Sequence, residues 1–393
     1  MSDRYLFFSV GTLIFGGVVL SLSLPLYLTQ ILGVSQFHFF IRQFTAAVIA
    51  FFLMWYISRL EPQKYLSRIG FGLFFFFFFL MITMPFLPES IVPTINGARR
   101  WIRLGLVSLS PVEFFKVGFV FFLAWSLARK LYHPKATQGI VFTFAKELGM
   151  LLPYLLLFVL IVILIGVIQN DLGQVVVIAC TMALMIFFAG SSFTVFFSMI
   201  VVSFIFSIVL IMQTQHRIER ILQWWSGTQD FILSLFPSWL EEALKVDTAS
   251  ANPAYQVTQS LHAIHYGGFF GTGLGAGVVK LGYLSDVHND FVLSGLAEET
   301  GLLGILLVSL LMLLAIYRIF KIANRSDNAV CYLFTIGVGV MLAVQFLMNA
   351  LGTAGVIPLK GITAPFLSYG GASLSASAMA IALVLMISKR ARL

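Results

Sequence analysis

The chain has 393 residues, of which 60% are hydrophobic and only 10% charged, with a mean hydropathy of +0.98. A soluble globular domain carries about 25% charged residues, so the composition excludes that class and points to a polytopic membrane protein. A formal net charge of +8 would suggest a nucleic-acid partner in a soluble chain; here it reads as the basic bias that orients membrane spans, and no nucleic acid is expected.

Apolar runs of about 20 residues, the length that crosses a bilayer, predict ten helices at roughly 6–28, 37–58, 69–87, 111–128, 148–168, 172–190, 192–212, 291–317, 329–350 and 366–388. The expected fold is all-α: ten transmembrane helices in one membrane domain over 1–393, with a large extracytoplasmic loop at about 213–290 between helices seven and eight. The first run, Leu6 to Leu28, exceeds the roughly 7–15 residues of a signal-peptide core and lacks a small-residue cleavage pattern, so it reads as a span. Ten crossings put both termini on one side. With the N-terminus inside, 14 of the 24 Lys and Arg residues fall on the inner side, among them Arg4, Arg59, Lys64, Arg129, Arg318 and Lys389, as the positive-inside rule requires. Cys180 and Cys331 both sit in apolar stretches and suggest neither a disulfide nor a thiol metal site.

Polar residues stand out against this background. Arg99, Arg100 and Arg103 crowd into INGARRWIRLG on the outer side, where topology disfavours them; they would meet either an anionic ligand or interfacial lipid phosphate. Glu113 and Lys116 are spaced i, i+3 at the outer end of the fourth span, close enough for an intramembrane ion pair that serves as a structural clamp or as part of an anion site. Asp171, in the QNDLG turn, is expected to cap a helix or to face the same outer cavity. Within the long connection, FILSLFPSWLEEALKV suits short helices lying on the membrane surface, and Tyr255 to Gly282 is rich in glycine. His262 and His265 share a helical face but lack a third ligand, so no zinc site is expected. The sequence names no definite cofactor, and a divalent cation, Mg or Mn, accompanying a diphosphate stays open.

The run SDVHNDFVLSGLAEETG places Asp286, His288, Asp290, Glu298 and Glu299 in the mouth and first turns of the eighth span, in a chain with only 16 acids. Ionisable groups cost at least ~2.5 kcal/mol each near a bilayer centre, so such a cluster marks a site. Asp290 lies near water yet against low-dielectric surroundings and is the candidate general base; a helix cap from Asn289 or Asp290 is the alternative. Glu298 follows eight residues later, about 12 Å along the axis and some 80° around it, so it cannot pair with Asp290. Glu298 and Glu299 are expected to be supporting groups. Near the C-terminus, GVIPLKGITAPFLSYGGAS sets Pro358, Gly361, Pro365, Gly370 and Gly371 around Lys360 and breaks helix at membrane depth, which is tolerated where backbone lines a cavity.

In order, NGARRWIRLG, SPVEFFKV, QNDLG, YQVTQSLHAIHYGGFFGTGLG, HNDFVLSGLAEETGLLG and PLKGITAPFLSYGGASL resemble the SEDS family (shape, elongation, division and sporulation) of bacterial peptidoglycan polymerases. The resemblance covers essentially the whole chain. Tyr255-Gln256, VVKLGYL and Lys360-Gly361 are more similar to the cell-division branch than to the elongation branch. Two motifs depart from the family pattern: His288-Asn289-Asp290 replaces His-Thr-Asp, and Gln169-Asn170-Asp171 replaces Gln-Pro-Asp, each keeping its acid.

The resemblance implies a glycosyltransferase that polymerises lipid II on the outer face of the cytoplasmic membrane, inverting the donor anomeric carbon and releasing undecaprenyl diphosphate. It implies Asp290 as catalytic base, with Glu113, Lys116 and Arg99 or Arg100 as polar residues of a central cavity. Arg103 and Lys360 join them as candidate substrate ligands, and Asp171, His288, Gln256, Glu298, Glu299 and Ser368 as supporting residues. Implied partners are lipid II and the growing strand, a class B penicillin-binding protein that supplies transpeptidation, other divisome proteins and membrane lipids. The implied location is the bacterial inner membrane at the division septum, with both termini cytoplasmic. Buried charges and broken helices also admit a lipid II transporter, although no internal repeat is evident; an elongation-type polymerase and a silent division scaffold are the other readings.

Overall fold

The computed structural model describes residues 3–35, 37–94, 98–104, 107–130, 144–212, 215–234, 236–237, 255–284, 286–358 and 361–391. Among them run thirteen helices: α1 Arg4–Ser23, α2 Leu26–Leu32, α3 His38–Ile57, α4 Pro62–Thr83, α5 Pro111–Lys130, α6 Phe144–Val162, α7 Leu172–Phe188, α8 Phe193–Met212, α9 Gln215–Leu233, α10 Tyr255–Gly267, α11 Val292–Asn324, α12 Ala329–Thr353 and α13 Gly371–Ser388. Eight helical runs are long and apolar enough to cross a membrane, and α7 and part of α8 are shorter apolar helices. The chain is a polytopic helical membrane protein.

Hydrophobic side chains alone do not choose the packing; close approach does. Helices α5, α12 and α13 are the most enclosed of the long spans, with α13 against α3 and α5, and α12 against α5, α7 and α11. The phenylalanine run from Phe74 to Phe79 divides by helical period: Phe74 and Phe77 are buried, whereas Phe75, Phe76 and Phe79 point outward. Such a face suits lipid.

Several breaks depart from the sequence expectation. The run 6–28 is not one helix, because α1 ends at Ser23 and the chain restarts as α2 after Pro25; proline lacks the amide donor that would continue the helical ladder. Helix α4 starts at Pro62 rather than near 69, with proline at a first-turn position where its missing donor costs nothing. Helix α11 extends past 317 to Asn324 and bends at Gly301, whose φ of 68° and ψ of −164° are non-helical. A proline inside α6, Pro153, precedes a π-helical turn over Ile163–Ile168. The last span begins at Gly371, not 366, because 361–370 is irregular.

The arginine-rich outer segment also forms an element that apolar runs do not reveal. Strands β1 (Ile102–Leu104) and β2 (Val107–Leu109) pair antiparallel, with Arg103 opposite Ser108. Ile102 packs inward on Met84 and Val92, while Arg103 is exposed, the alternation a strand imposes. In the long connection, α9 and α10 are helical; most of FILSLFPSWLEEALKV lies outside the described residues, as does Lys360.

Candidate active site

Two irregular segments, 286–291 and 361–370, are stitched together at the mouth of α11. Tyr369 N donates to the His288 carbonyl (2.8 Å), Ser368 Oγ donates to the Asn289 carbonyl (2.6 Å), and the Ala364 amide donates to Ser368 Oγ (2.8 Å). Gln43 of α3 adds a strut, accepting from Gly370 N at 3.2 Å and donating to the Ser368 carbonyl at 3.3 Å. From α12, Asn349 Nδ2 donates to the carbonyls of both Asp290 (2.7 Å) and Ile362 (2.6 Å). Buried carbonyls left unpaired are costly, so these bonds fix the loops in one arrangement.

Asp290 projects from this scaffold. The cap position of α11 is Phe291, and no side chain caps it; the capping alternative for Asp290 is therefore not realised. Among the described residues, no hydrogen-bond donor reaches the Asp290 carboxylate. A Cβ at Gly361 would lie 3.2 Å from its Oδ2, and Gly361 holds a φ of +52°, so a hydrogen in place of a side chain leaves the carboxylate its room. Burial pushes the Asp290 carboxyl up to about 7, Asp286 and Asp171 push in the same direction, and Arg100 opposes them. His288 sits between Phe39 and Tyr369, with ring centroids at 5.3 and 5.5 Å. Burial lowers its pKa to about 4 against the opposing charge of Asp286, so the imidazole is neutral at physiological pH.

The arginines separate. Arg99 turns away, donating to the carbonyls of Pro85 (2.9 Å) and Leu87 (3.3 Å) and pairing with Glu89 at 3.5 Å. Arg100 reaches the QND turn: Nε donates to the Gln169 carbonyl (2.9 Å), Nη2 to the Asn170 carbonyl (2.5 Å), and Nη1 lies 3.8 Å from Asp171 Oδ2. Asp171 both caps α7, accepting from Gln174 N at 3.4 Å, and faces Arg100. Burial raises its pKa, with Arg100 as the largest opposing influence.

One turn inward, Glu113 and Lys116 of α5 form their ion pair at 3.0 Å, almost fully buried. Gln174 of α7 closes a triangle, accepting from Lys116 Nζ at 2.6 Å and donating from Nε2 to Glu113 Oε1 at 2.9 Å. A buried pair of charges needs such further bonds to offset its lost hydration.

Glu298 and Glu299 serve a different part of the fold. Glu298 Oε1 accepts the amides of Val278 (2.6 Å) and Val279 (2.7 Å). Glu299 takes Lys280 Nζ at 2.5 Å, Ser23 Oγ at 2.7 Å and Gly275 N at 3.2 Å. Together they hold the glycine-rich segment after α10 against α11. Lys280, in the connection before α11, is thus a buried partner. Gln256, His262 and His265 are exposed on α10, and Arg103 is exposed on β1.

Asn349, Gln174, Gln43 and Lys280 are polar residues that sequence reasoning passed over. The first three carried a signal, since an amide deep in an apolar run needs a partner. Among the described residues, no three His, Cys, Asp or Glu side chains converge as a metal-binding group. These residues alone do not make a divalent-ion site.

The family model for FtsW, RodA and SpoVE, described as a cell cycle protein, matches residues 3–393. The chain belongs to this family. It is 44% identical over 389 residues to a Helicobacter pylori protein named probable peptidoglycan glycosyltransferase FtsW, covering 99% of this chain and 98% of that one. A Coxiella burnetii protein of the same name is 35% identical over 356 residues, covering 89% and 86%. Among solved structures, a chain from "Structural coordination of polymerization and crosslinking by a peptidoglycan synthase complex" superposes with a TM-score of 0.68 at 23% identity, covering 100% of this chain and 98% of that one. Thermus thermophilus RodA superposes at 0.61 with 22% identity, covering 100% and 98%. The family's fold is therefore shared along the whole length.

Proposed function

We propose that the chain is a peptidoglycan glycosyltransferase that extends glycan strands from lipid II, with Asp290 as its general base. The observation that carries this is the Asp290 carboxylate, without a hydrogen-bond donor among the described residues, pushed up to about 7 and within the field of Arg100. A base poised near the working pH combines a useful ionised fraction with useful proton affinity. Asp290 takes the proton from the C4 hydroxyl of the acceptor sugar as that oxygen attacks the donor anomeric carbon. The bond from that carbon to the diphosphate oxygen breaks, the configuration inverts, and undecaprenyl diphosphate leaves with the bonding electrons. Arg100 has Nη1 free of a hydrogen bond to carbonyl, which suits it to a phosphate oxygen of the leaving group. Arg103, exposed on β1, adds positive charge on the outer side, whereas the charge of Lys116 is balanced by Glu113.

The division branch is favoured by the names of the similar H. pylori and C. burnetii proteins. In the membrane, α7 and α8 bring the eight long spans to ten crossings, with 213–290 and the Asp290 mouth outside and both termini cytoplasmic. The chain acts as one membrane domain. A class B penicillin-binding protein is the expected partner, since the superposing synthase complex couples polymerization with crosslinking.

The test is to reconstitute the full chain with its transpeptidase partner, supply labelled lipid II, and compare it with Asp290→Asn. Glycan polymer from the wild type and none from the variant is the expected result. Equal polymer from both removes Asp290 from the role of base, and lipid II crossing the bilayer without any polymer favours transport.

A further inference from the structure

The groups described so far cluster around the end of the bundle where Asp290 lies. The opposite end, where α1 begins and α3 and α13 finish, holds a cavity of about 370 Å³ lined by Arg4, Phe7, Phe8, Trp55, Ser58, Arg59 and Lys389. Three of these seven are cations and none is an acid. Asp3, beside Arg4 in the chain, is buried and accepts from Leu6 N at 2.9 Å and pairs with Arg318; Glu61, two residues past Arg59, is exposed and does not line the cavity. Lys389 Nζ donates to the Arg59 carbonyl at 2.6 Å and to the Leu60 carbonyl at 3.5 Å, which pins α13 to the end of α3 and leaves one ammonium proton directed elsewhere. The Arg59 guanidinium lies over the Trp55 ring, 3.8 Å from its centroid. Stacking occupies the face of the guanidinium and leaves its in-plane donors for a planar or tetrahedral anion.

The apolar half of the lining has an equally specific character. Phe8 is 68% exposed and Trp55 47% exposed, although both lie at the end of helices long enough to cross a bilayer. Aromatic side chains at such a level sit at the boundary between headgroups and acyl chains. A small soluble anion would have no use for them.

We propose that this cavity binds the phosphate headgroup of an anionic membrane lipid, with Arg4, Arg59 and Lys389 meeting the phosphate and its acyl chains lying along Phe8 and Trp55. The site is separate from the Asp290 mouth and does not depend on the reaction assigned there. Its chemistry is that of a phosphate, so lipid and free phosphate are distinguished by experiment.

The full chain, purified in detergent, is titrated in native mass spectrometry with phosphatidylglycerol, with phosphatidylcholine of the same acyl chains, and with phosphatidylglycerol plus inorganic phosphate. Near a membrane each basic residue contributes roughly a five-fold preference for anionic lipid. Arg4→Gln with Arg59→Gln is therefore expected to lower phosphatidylglycerol retention by roughly 25-fold, toward the phosphatidylcholine level, whereas Arg68→Gln on exposed α4 surface leaves it unchanged. If the double variant does not fold, the single variants decide: Arg4→Gln loses about five-fold, and Arg59→Lys, which keeps the charge but not the fork, loses less. Unchanged retention in these variants overturns the proposal, as does equal retention of the two lipids. Displacement of the lipid by an equal concentration of inorganic phosphate also overturns it and assigns the cavity to a soluble anion.

Discussion

The side-chain amide of Asn349 donates to the backbone carbonyl of Asp290 at 2.7 Å, and the same nitrogen donates to the carbonyl of Ile362 at 2.6 Å. A neutral residue buried in α12 thus holds the base loop and the 361–370 loop together. Asn349→Leu removes both donors and leaves two carbonyls unpaired, at about 1–3 kcal/mol each. Because the loss falls on the position of Asp290, the expected result is a roughly 10–100-fold fall in kcat with little change in lipid II affinity. Steady-state kinetics beside a thermal melt checks it; an equal loss of affinity would show that the substitution disturbs more than the clamp.

Asp290 makes activity and stability respond to pH in opposite directions. With its carboxyl pushed up to about 7, the ionised base accumulates as pH rises, so the polymerisation rate should climb through neutrality and then level. The native state holds this proton over a range in which an unfolded Asp, with an ordinary value near 3.8, has lost it. Stability from this group is therefore full at low pH and is lost as pH rises through about 7. Asp290→Asn should abolish polymerisation yet melt higher than wild type, by a margin that grows from pH 5 to pH 8. A margin that shrinks over that interval contradicts the raised pKa.

How much of this was legible in the sequence follows from which forces are local. In lipid an apolar run of span length must satisfy its backbone internally, so the long helices could be read directly. The bend at Gly301 and the late start of α13 at Gly371 depend on neighbouring segments, whereas the break at Pro25 has a local cause in the missing amide donor. The β-ribbon has three residues per strand, too few for a periodic signal. At the site, charge drew attention to Asp290, Glu113 and Lys116, whereas the amides of Asn349 and Gln174 carry no charge and gain their meaning from partners about 60 residues away. Lys280 lies in a connection between spans, and nothing local shows that Glu299 will bury it.

The Glu113–Lys116–Gln174 triangle allows its structural and functional readings to be separated. Removing one charge, as in Lys116→Met, leaves the other buried without a partner and should destabilise by about 3–5 kcal/mol. Replacing both, as Glu113→Leu with Lys116→Met, removes that penalty and should restore much of the melting temperature. If the pair serves only to hold α5 against α7, polymerisation returns with stability. A stable double variant that still makes no polymer assigns the pair to the substrate.

Arg99 and Arg100 are adjacent but face different surroundings, so they should fail differently. Arg99→Gln loses bonds to the Pro85 and Leu87 carbonyls and should lower stability by about 1–2 kcal/mol with activity largely kept. Arg100→Gln loses the contacts to the QND turn and the cation nearest Asp171 and Asp290. It should weaken lipid II binding by roughly ten-fold or more and move the midpoint of the pH–rate profile upward, because a charge that lowers the Asp290 pKa is gone. Binding measured beside that profile tests both outcomes, and an unmoved midpoint would detach Arg100 from the base.

Gly361 offers a sharper probe of the space around Asp290. Alanine there must hold a φ of +52° and place its Cβ 3.2 Å from Asp290 Oδ2. The backbone alone costs roughly 1–2 kcal/mol for a residue with a side chain, which would lower the melting temperature without altering the chemistry. The added methyl also displaces water from the carboxylate, and desolvation disfavours its charged form. Gly361→Ala should therefore both lower stability and shift the rate profile to higher pH from its midpoint near 7. A variant that is destabilised but titrates as the wild type does would mean that the 361–370 loop has moved away from Asp290 instead of pressing on it.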